Sequence, residues 1–213
     1  MECSTTSKSN LIDFSNADIV KAQKLEFWKY CSEKIEGFKI IPDNRDALNS
    51  LFGYFHGDFG TLDQNKGIYL FGEFGCGKTT IMMLFSKYLA HYFPFSQFGF
   101  ANFSTEEVIE TYMFEKEGKE MKRYLYSPYS DKPRAICFHE IGKELNEKHY
   151  GTDIDQVINR LMMRRYELFQ GFGKKTHVTS NFRPEKLKCF DSAVLDRFKE
   201  MYNFVEWKGK SLR

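Results

Sequence analysis

The sequence predicts an α/β domain built on a parallel sheet, and three observations predict it. From Gly67 onward short apolar runs alternate with helical stretches, the order that sandwiches a parallel sheet between helices. The first run, Gly67-Ile68-Tyr69-Leu70-Phe71, passes at once into a glycine-rich turn and then a helix. The 213 residues, 42% hydrophobic and 28% charged, suffice for one ordinary domain with a real core.

Taken in order, Ser15 and Asn16 cap a helix from Ala17 to Glu36, in which Ile19, Ala22, Leu25, Phe27, Trp28, Cys31 and Ile35 recur at helical spacing. Pro42 and Asp43 break the chain, and Asp46 to Phe55 reads as a second, shorter helix before the turn Gly57 to Lys66. Strands are expected at Gly67 to Phe71, Gln97 to Asn102, Ala135 to Phe138, Thr176 to Thr179 and Tyr202 to Trp207. Helices are expected at Lys78 to His91, Thr105 to Phe114, Asp153 to Phe169 and Ser192 to Met201. Glu115 to Arg123 carries four positive and three negative charges and reads as a solvated segment. This divides the chain into an expected N-terminal helical extension, residues 1–60, and an expected α/β domain, residues 61–213.

Composition excludes several classes. No apolar run approaches the roughly 18 residues of a membrane helix. The polar start, MECSTTSKSN, leads into no apolar signal region, so the expected location is cytoplasmic. Cys3, Cys31, Cys76, Cys137 and Cys189 form no CxxC pair and fit reduced, mostly buried thiols better than a zinc site or a disulfide framework. Lys and Arg number 31 against 29 Asp and Glu, so nucleic acid can be held only by a local patch. Aromatic residues reach 17%, and those rings need a place in the fold.

The strongest signal is Gly72-Glu73-Phe74-Gly75-Cys76-Gly77-Lys78-Thr79, which satisfies GxxxxGK[ST] between a strand and a helix. Glycines let the backbone N–H groups curl around phosphates, and the helix start adds its positive end. Gly72, Gly75, Cys76, Gly77, Lys78, Thr79 and Thr80 are the expected nucleotide contacts. Lys78 reaches the β- and γ-phosphates, and the Thr79 hydroxyl sits on Mg²⁺. Cys76 in the loop reads as a small residue that fits, with a redox-sensitive thiol as the lesser alternative.

A second acidic centre is expected at another strand tip. Ala135-Ile136-Cys137-Phe138 ends in His139-Glu140, where four apolar residues followed by Asp and Glu are the usual arrangement. Glu140 fits the acid that orients the attacking water. His139 stands in the Asp position, and imidazole is a poor ligand for a hard cation, so hydrolysis is either carried by Glu140 alone or weak. Thr176-His177-Val178-Thr179 ends in Ser180-Asn181, which places Asn181 to bond the γ-phosphate or the water.

GIYLFGEFGCGKTT, AICFHEIG, THVTSNF, LDRFKEM and the final GKSLR occur in the order and approximate spacing of the DnaC-type helicase loaders and the IstB-type transposition ATPases. Over residues 45–213 the chain resembles this branch of the AAA+ superfamily. HYGTDIDQVINRLMMRRYELF resembles the helix that carries an Arg-Tyr pair in the group. The resemblance implies a P-loop NTPase with an AAA+ core, a parallel sheet flanked by helices, that binds ATP and Mg²⁺. It implies Asn181 as the sensor that couples γ-phosphate to movement and Arg197 as an arginine finger inserted into a neighbouring copy. It implies Arg213 as a second sensor. It further implies a head-to-tail homo-oligomer and a replicative helicase or a transposase as partner. His139 departs from the family pattern, and the extension is short for a complete helicase-binding domain.

Arg160, Arg164, Arg165, Lys174 and Lys175 against Glu167 make a local charge of about +4 by direct count of the sequence. With Tyr166, Phe169 and Phe172 nearby, this is the expected contact for single-stranded DNA. Phe27 and Trp28 are a candidate docking stripe for a partner, against packing on their own domain. A small phosphate-loop kinase and an ATP-binding switch with negligible turnover are the alternative functions; for the kinase no Arg-rich lid is evident.

Overall fold

Five apolar runs pair side by side, all parallel, in the order β2-β3-β4-β1-β5. The computed structural model describes residues 15–58, 60–114, 120–142, 154–187 and 190–209. Its strands are β1 (Gly67–Phe71), β2 (Ala101–Ser104), β3 (Ile136–Ile141), β4 (Thr176–Ser180) and β5 (Tyr202–Glu206). Its α-helices are α1 (Ala17–Lys34), α2 (Arg45–His56), α3 (Lys78–Tyr92), α4 (Thr105–Phe114), α5 (Ile154–Phe172) and α6 (Ser192–Met201). No described helix is long and apolar enough to cross a membrane.

Local chemistry explains the boundaries. Asn16 starts α1 by accepting the N–H groups of Asp18 and Ile19 on its side-chain oxygen, at 3.0 and 3.2 Å. Gly57, at φ 99°, ends α2 in the left-handed conformation that other residues resist. The second strand begins at Ala101, four residues after the expected Gln97, and runs on to Ser104. Phe98 and Phe100 are buried there all the same, so the apolar pattern marked burial correctly and strand pairing incorrectly.

Every residue of β1 and β4 is buried, as expected of strands covered on both faces. Ile68 and Leu70 face a core shared with α1, α2 and α3, whereas Tyr69 and Phe71 face a second core with α4, α5 and α6. The two N-terminal helices therefore pack into the same apolar cluster as β1 and α3. Phe27 is fully buried, stacked on Phe85 with ring centres 4.4 Å apart, and Trp28 is partly buried against the same cluster. This corrects the docking stripe: the rings serve the chain's own core, and Leu25 is the member left exposed.

Two histidines are enclosed in this aromatic packing. His56 Nδ1 lies 2.7 Å from the carbonyl of Phe52, and His177 Nδ1 accepts the N–H of Ile68 at 3.0 Å. Burial pushes the His56 pKa down to about 4 and that of His177 down to about 3, the latter helped by Lys175 and Arg165. Both are neutral in the native state, so the stability they confer is present above the unfolded value near 6.5 and is lost as pH falls toward 4. At pH 5 the two together should cost about 4 kcal/mol. Denaturant unfolding at pH 7 and pH 5 should show that loss; equal midpoints would mean that the rings accept protons in the folded chain.

Candidate nucleotide site

The site lies at the carboxyl ends of β1, β3 and β4, where open parallel sheets bind ligands. Because β4 runs between β1 and β3, the phosphate loop, Glu140 and Asn181 come together although more than a hundred residues separate the first from the last. They line one cavity of about 540 Å³ with Phe74 to Ile81, Thr179 and Ser180.

The loop Gly72–Gly77 turns between β1 and α3 with Gly75 at φ 76° and Gly77 at φ 94°, conformations that glycine adopts without strain. A side chain at Gly72 would overlap the carbonyl of Trp207. Trp207 holds the loop at both ends: its N–H donates to the carbonyl of Phe71 at 2.6 Å, and its indole Nε1–H to that of Cys76 at 2.8 Å. Cys76 is buried, with its thiol donating to the carbonyl of Glu73.

Lys78 is folded inward. Its Nζ donates to the carbonyls of Gly72 and Glu73 at 3.0 and 2.7 Å, and to Asn181 Oδ1 at 2.8 Å. Burial lowers its pKa, opposed by Cys76 and Glu140. The loop lysine and the expected sensor are thus in direct contact across the cavity.

Glu140 lies within the register shift between Phe138 and Ile141 of β3 and adopts φ 62°. Its N–H donates to Thr179 Oγ1 at 3.1 Å. His139 is 4% exposed and does not line the cavity. Its Nε2 lies 2.9 Å from Asn102 Oδ1, and its Nδ1 lies 3.4 Å from Thr179 Oγ1 and 3.8 Å from Cys137 Sγ. Burial pushes its pKa down to about 4, with Glu140 opposing. The ring is neutral, and both nitrogens are turned to protein partners rather than to a metal.

One wall of the cavity comes from the chain between α1 and α2. Ile35, Phe38, Ile40, Ile41 and Leu48 give it an apolar surface, and Asn44 contributes a buried Oδ1 that has no hydrogen-bond partner among the described residues. Such a wall suits a flat base, and Asn44 offers an acceptor to it. Neither this wall nor Trp207 was foreseen from sequence; the apolar Phe38, Ile40 and Ile41 were the one available hint.

Arg197 lies on α6, outside this cavity. It donates to the carbonyl of Ala193 at 2.6 Å, with its guanidinium 5.1 Å from the ring centre of Tyr166. Arg213 lies outside the described residues, as do Cys3 and Cys189.

The expected DNA patch needs correction. Arg165 is fully buried. It donates to Thr176 Oγ1 at 2.8 Å and to the carbonyls of Leu125, Arg134 and Lys175 at 3.4, 3.0 and 2.9 Å. It ties α5 to the start of β4 and to the segment before β3, and cannot touch phosphate. Lys175 is half-buried with its ammonium over Phe98 and Tyr54, and burial pushes its pKa down to about 8. Tyr166 donates to Glu200 at 2.8 Å and Phe169 packs against the core. Arg160 and Arg164 remain exposed and Lys174 half-exposed, with Arg164 2.8 Å from Glu167.

No family model matches the chain, and no curated protein matches it by sequence. Solved structures do match. A crystal structure of the DnaC helicase loader is similar with a TM-score of 0.58 at 16% identity, over 86% of this chain and 99% of that one. Domain III of the Thermotoga maritima replication initiation protein DnaA gives 0.58 at 18% identity, over 81% of this chain and 65% of that one. Replication initiator DnaA bound to AMPPCP and single-stranded DNA gives 0.55 at 17% identity, over 82% of this chain and 49% of that one. The chain thus spans just under two thirds and about half of those two DnaA chains. The likeness shows the fold these proteins share with the chain: a five-stranded parallel sheet flanked by helices.

Proposed function

We propose that this chain binds and hydrolyses ATP, assembles head to tail, and acts on DNA by loading a replicative helicase or assisting a mobile element. The observation that carries this reading is the single cavity in which Lys78 touches Asn181 beside Glu140. ATP lays its phosphates on Gly75 to Thr80 and its base against Ile35 to Ile41. The Thr79 hydroxyl, a hard oxygen lining the same cavity, would hold a Mg²⁺ ion there, which would neutralise charge on the phosphates. Glu140 orients the attacking water, and Arg197 completes the site of the neighbouring copy.

Support for DNA as the polymer comes from the solved relatives, one of which is a DnaA bound to single-stranded DNA, and from the exposed Arg160 and Arg164. ATP turnover should rise several-fold when single-stranded DNA is added, with no phosphate passed to nucleosides or nucleotides. Transfer to such an acceptor would replace this reading with a kinase.

A second reading is favoured by His139. Its neutral ring faces Asn102 and Thr179, so the usual carboxylate beside the metal is replaced by an uncharged group, as an ATP-binding switch with negligible turnover would tolerate. Tight ATP binding with background hydrolysis in the presence of DNA selects the switch.

A further inference from the structure

A threonine hydroxyl that gives a lone pair to Mg²⁺ is oriented only if something accepts its proton. An Asp at position 139 would be that acceptor, and the chain has His139. We propose that Thr179 is the positioning residue that takes over this task, accepting the Thr79 hydroxyl proton while its own hydroxyl is held by His139; this rests on the nucleotide-site reading above.

Proton accounting supports the assignment. Asn102 Oδ1 only accepts, so at 2.9 Å from it His139 Nε2 carries the ring proton and Nδ1 is bare. Thr179 then donates its single proton to Nδ1, 3.4 Å away. The two lone pairs of Thr179 Oγ1 remain. One accepts the N–H of Glu140 at 3.1 Å and the other the hydroxyl of Thr79 at 3.3 Å. Cys137 Sγ, 3.8 Å from Nδ1, adds a neutral thiol on the same side. With Thr79 donating, its oxygen keeps its own lone pairs for a cation in the cavity that both it and Thr179 line.

The chain Asn102-His139-Thr179-Thr79 is rigid. Thr179 is fully buried and His139 nearly so, and a β-branched side chain on a strand has few rotamers to choose from. Outer partners of this kind set the orientation of a metal's ligands. An uncharged acceptor does so with about half the strength of a carboxylate, so Mg²⁺ adds affinity here without a fixed negative charge on the protein side of Thr79.

The test is equilibrium binding of AMPPCP to the full chain, once in EDTA and once in Mg²⁺, with the affinity ratio as readout. Thr179→Val should cut the gain from Mg²⁺ by up to about tenfold and leave affinity in EDTA within about twofold. Thr179→Ser, which keeps the hydroxyl, should retain the gain. Adding His139→Asp to the valine variant should restore it, because a carboxylate again accepts from Thr79. If the valine variant does not fold, His139→Ala reads the same chain from its other end and should lower the gain about threefold. An undiminished gain in the valine or alanine variant, a serine variant that behaves like valine, or an equal loss in EDTA overturns the assignment. Wild-type binding in EDTA with no gain from Mg²⁺ overturns it too but leaves the nucleotide site standing. No AMPPCP binding in either buffer sinks both.

Discussion

Lys78→Ala should weaken ATP binding by at least about a hundredfold, which amounts to abolishing it at ordinary concentrations, while the fold survives. A lysine on two phosphates makes charge-assisted hydrogen bonds worth about 1.5–3 kcal/mol each, and every 1.4 kcal/mol is about tenfold in affinity. The ammonium is held by the carbonyls of Gly72 and Glu73 and by Asn181. On the proposed function, ATP would exchange those oxygens for phosphate. Burial already disfavours the charged form of Lys78, so its removal relieves a desolvation cost while freeing two carbonyls. The melting temperature should therefore stay within about 5 °C of the wild type. Calorimetric titration with ATP and a melting curve on the same sample decide the matter, and unchanged affinity would remove the central claim of a phosphate loop at work.

Arg197→Ala should leave ATP affinity unchanged and lower turnover by roughly a thousandfold, the lower end of what an arginine finger contributes. The placement motivates this. Arg197 is absent from its own chain's cavity. It rests on Tyr166 and the carbonyl of Ala193, with a buried Nε that has no hydrogen-bond partner among the described residues. A guanidinium parked on an aromatic face at half-exposure can be drawn to a phosphate of a second copy at modest cost. Glu140→Gln disables a site in the opposite manner, by removing the acid and keeping the arginine. Mixing the two inactive proteins should return part of the activity, since some interfaces then pair an intact Glu140 with an intact Arg197. Full turnover in Arg197→Ala, or no recovery on mixing together with an active monomer, removes the finger.

The phosphate loop was legible because its chemistry is local. Glycines that take positive φ, a lysine and a threonine must follow one another along the chain, and a strand and helix must flank them. α4 and α6 were legible to the residue for a similar reason: Thr105 follows Ser104, whose hydroxyl accepts the N–H of Glu107, and Asp191, at the position before Ser192, accepts the N–H groups of Val194 and Leu195 on its backbone carbonyl. Arg165 was misread because a sequence shows its charge and not its surroundings. Its four acceptors come from Leu125, Arg134, Lys175 and Thr176, stretches that only the folded sheet gathers. The apolar wall of the cavity was hidden likewise, since Ile35 to Ile41 reaches the site only because α1 and α2 pack on α3. Thr179 looked like one more polar residue in a strand. Its importance is set by three neighbours on α3 and β3.

Trp207 gives the molecule a built-in optical gauge. It is one of two tryptophans. The residue is 6% exposed, and its indole is hydrogen-bonded to the backbone of Cys76 inside the phosphate loop. Trp28 reports instead on the helices around Phe27. With Trp28 exchanged for phenylalanine, the remaining emission comes from a ring that touches the loop itself. On the proposed function, nucleotide arrival and departure should then register in that emission in real time, with no dye attached to protein or ligand.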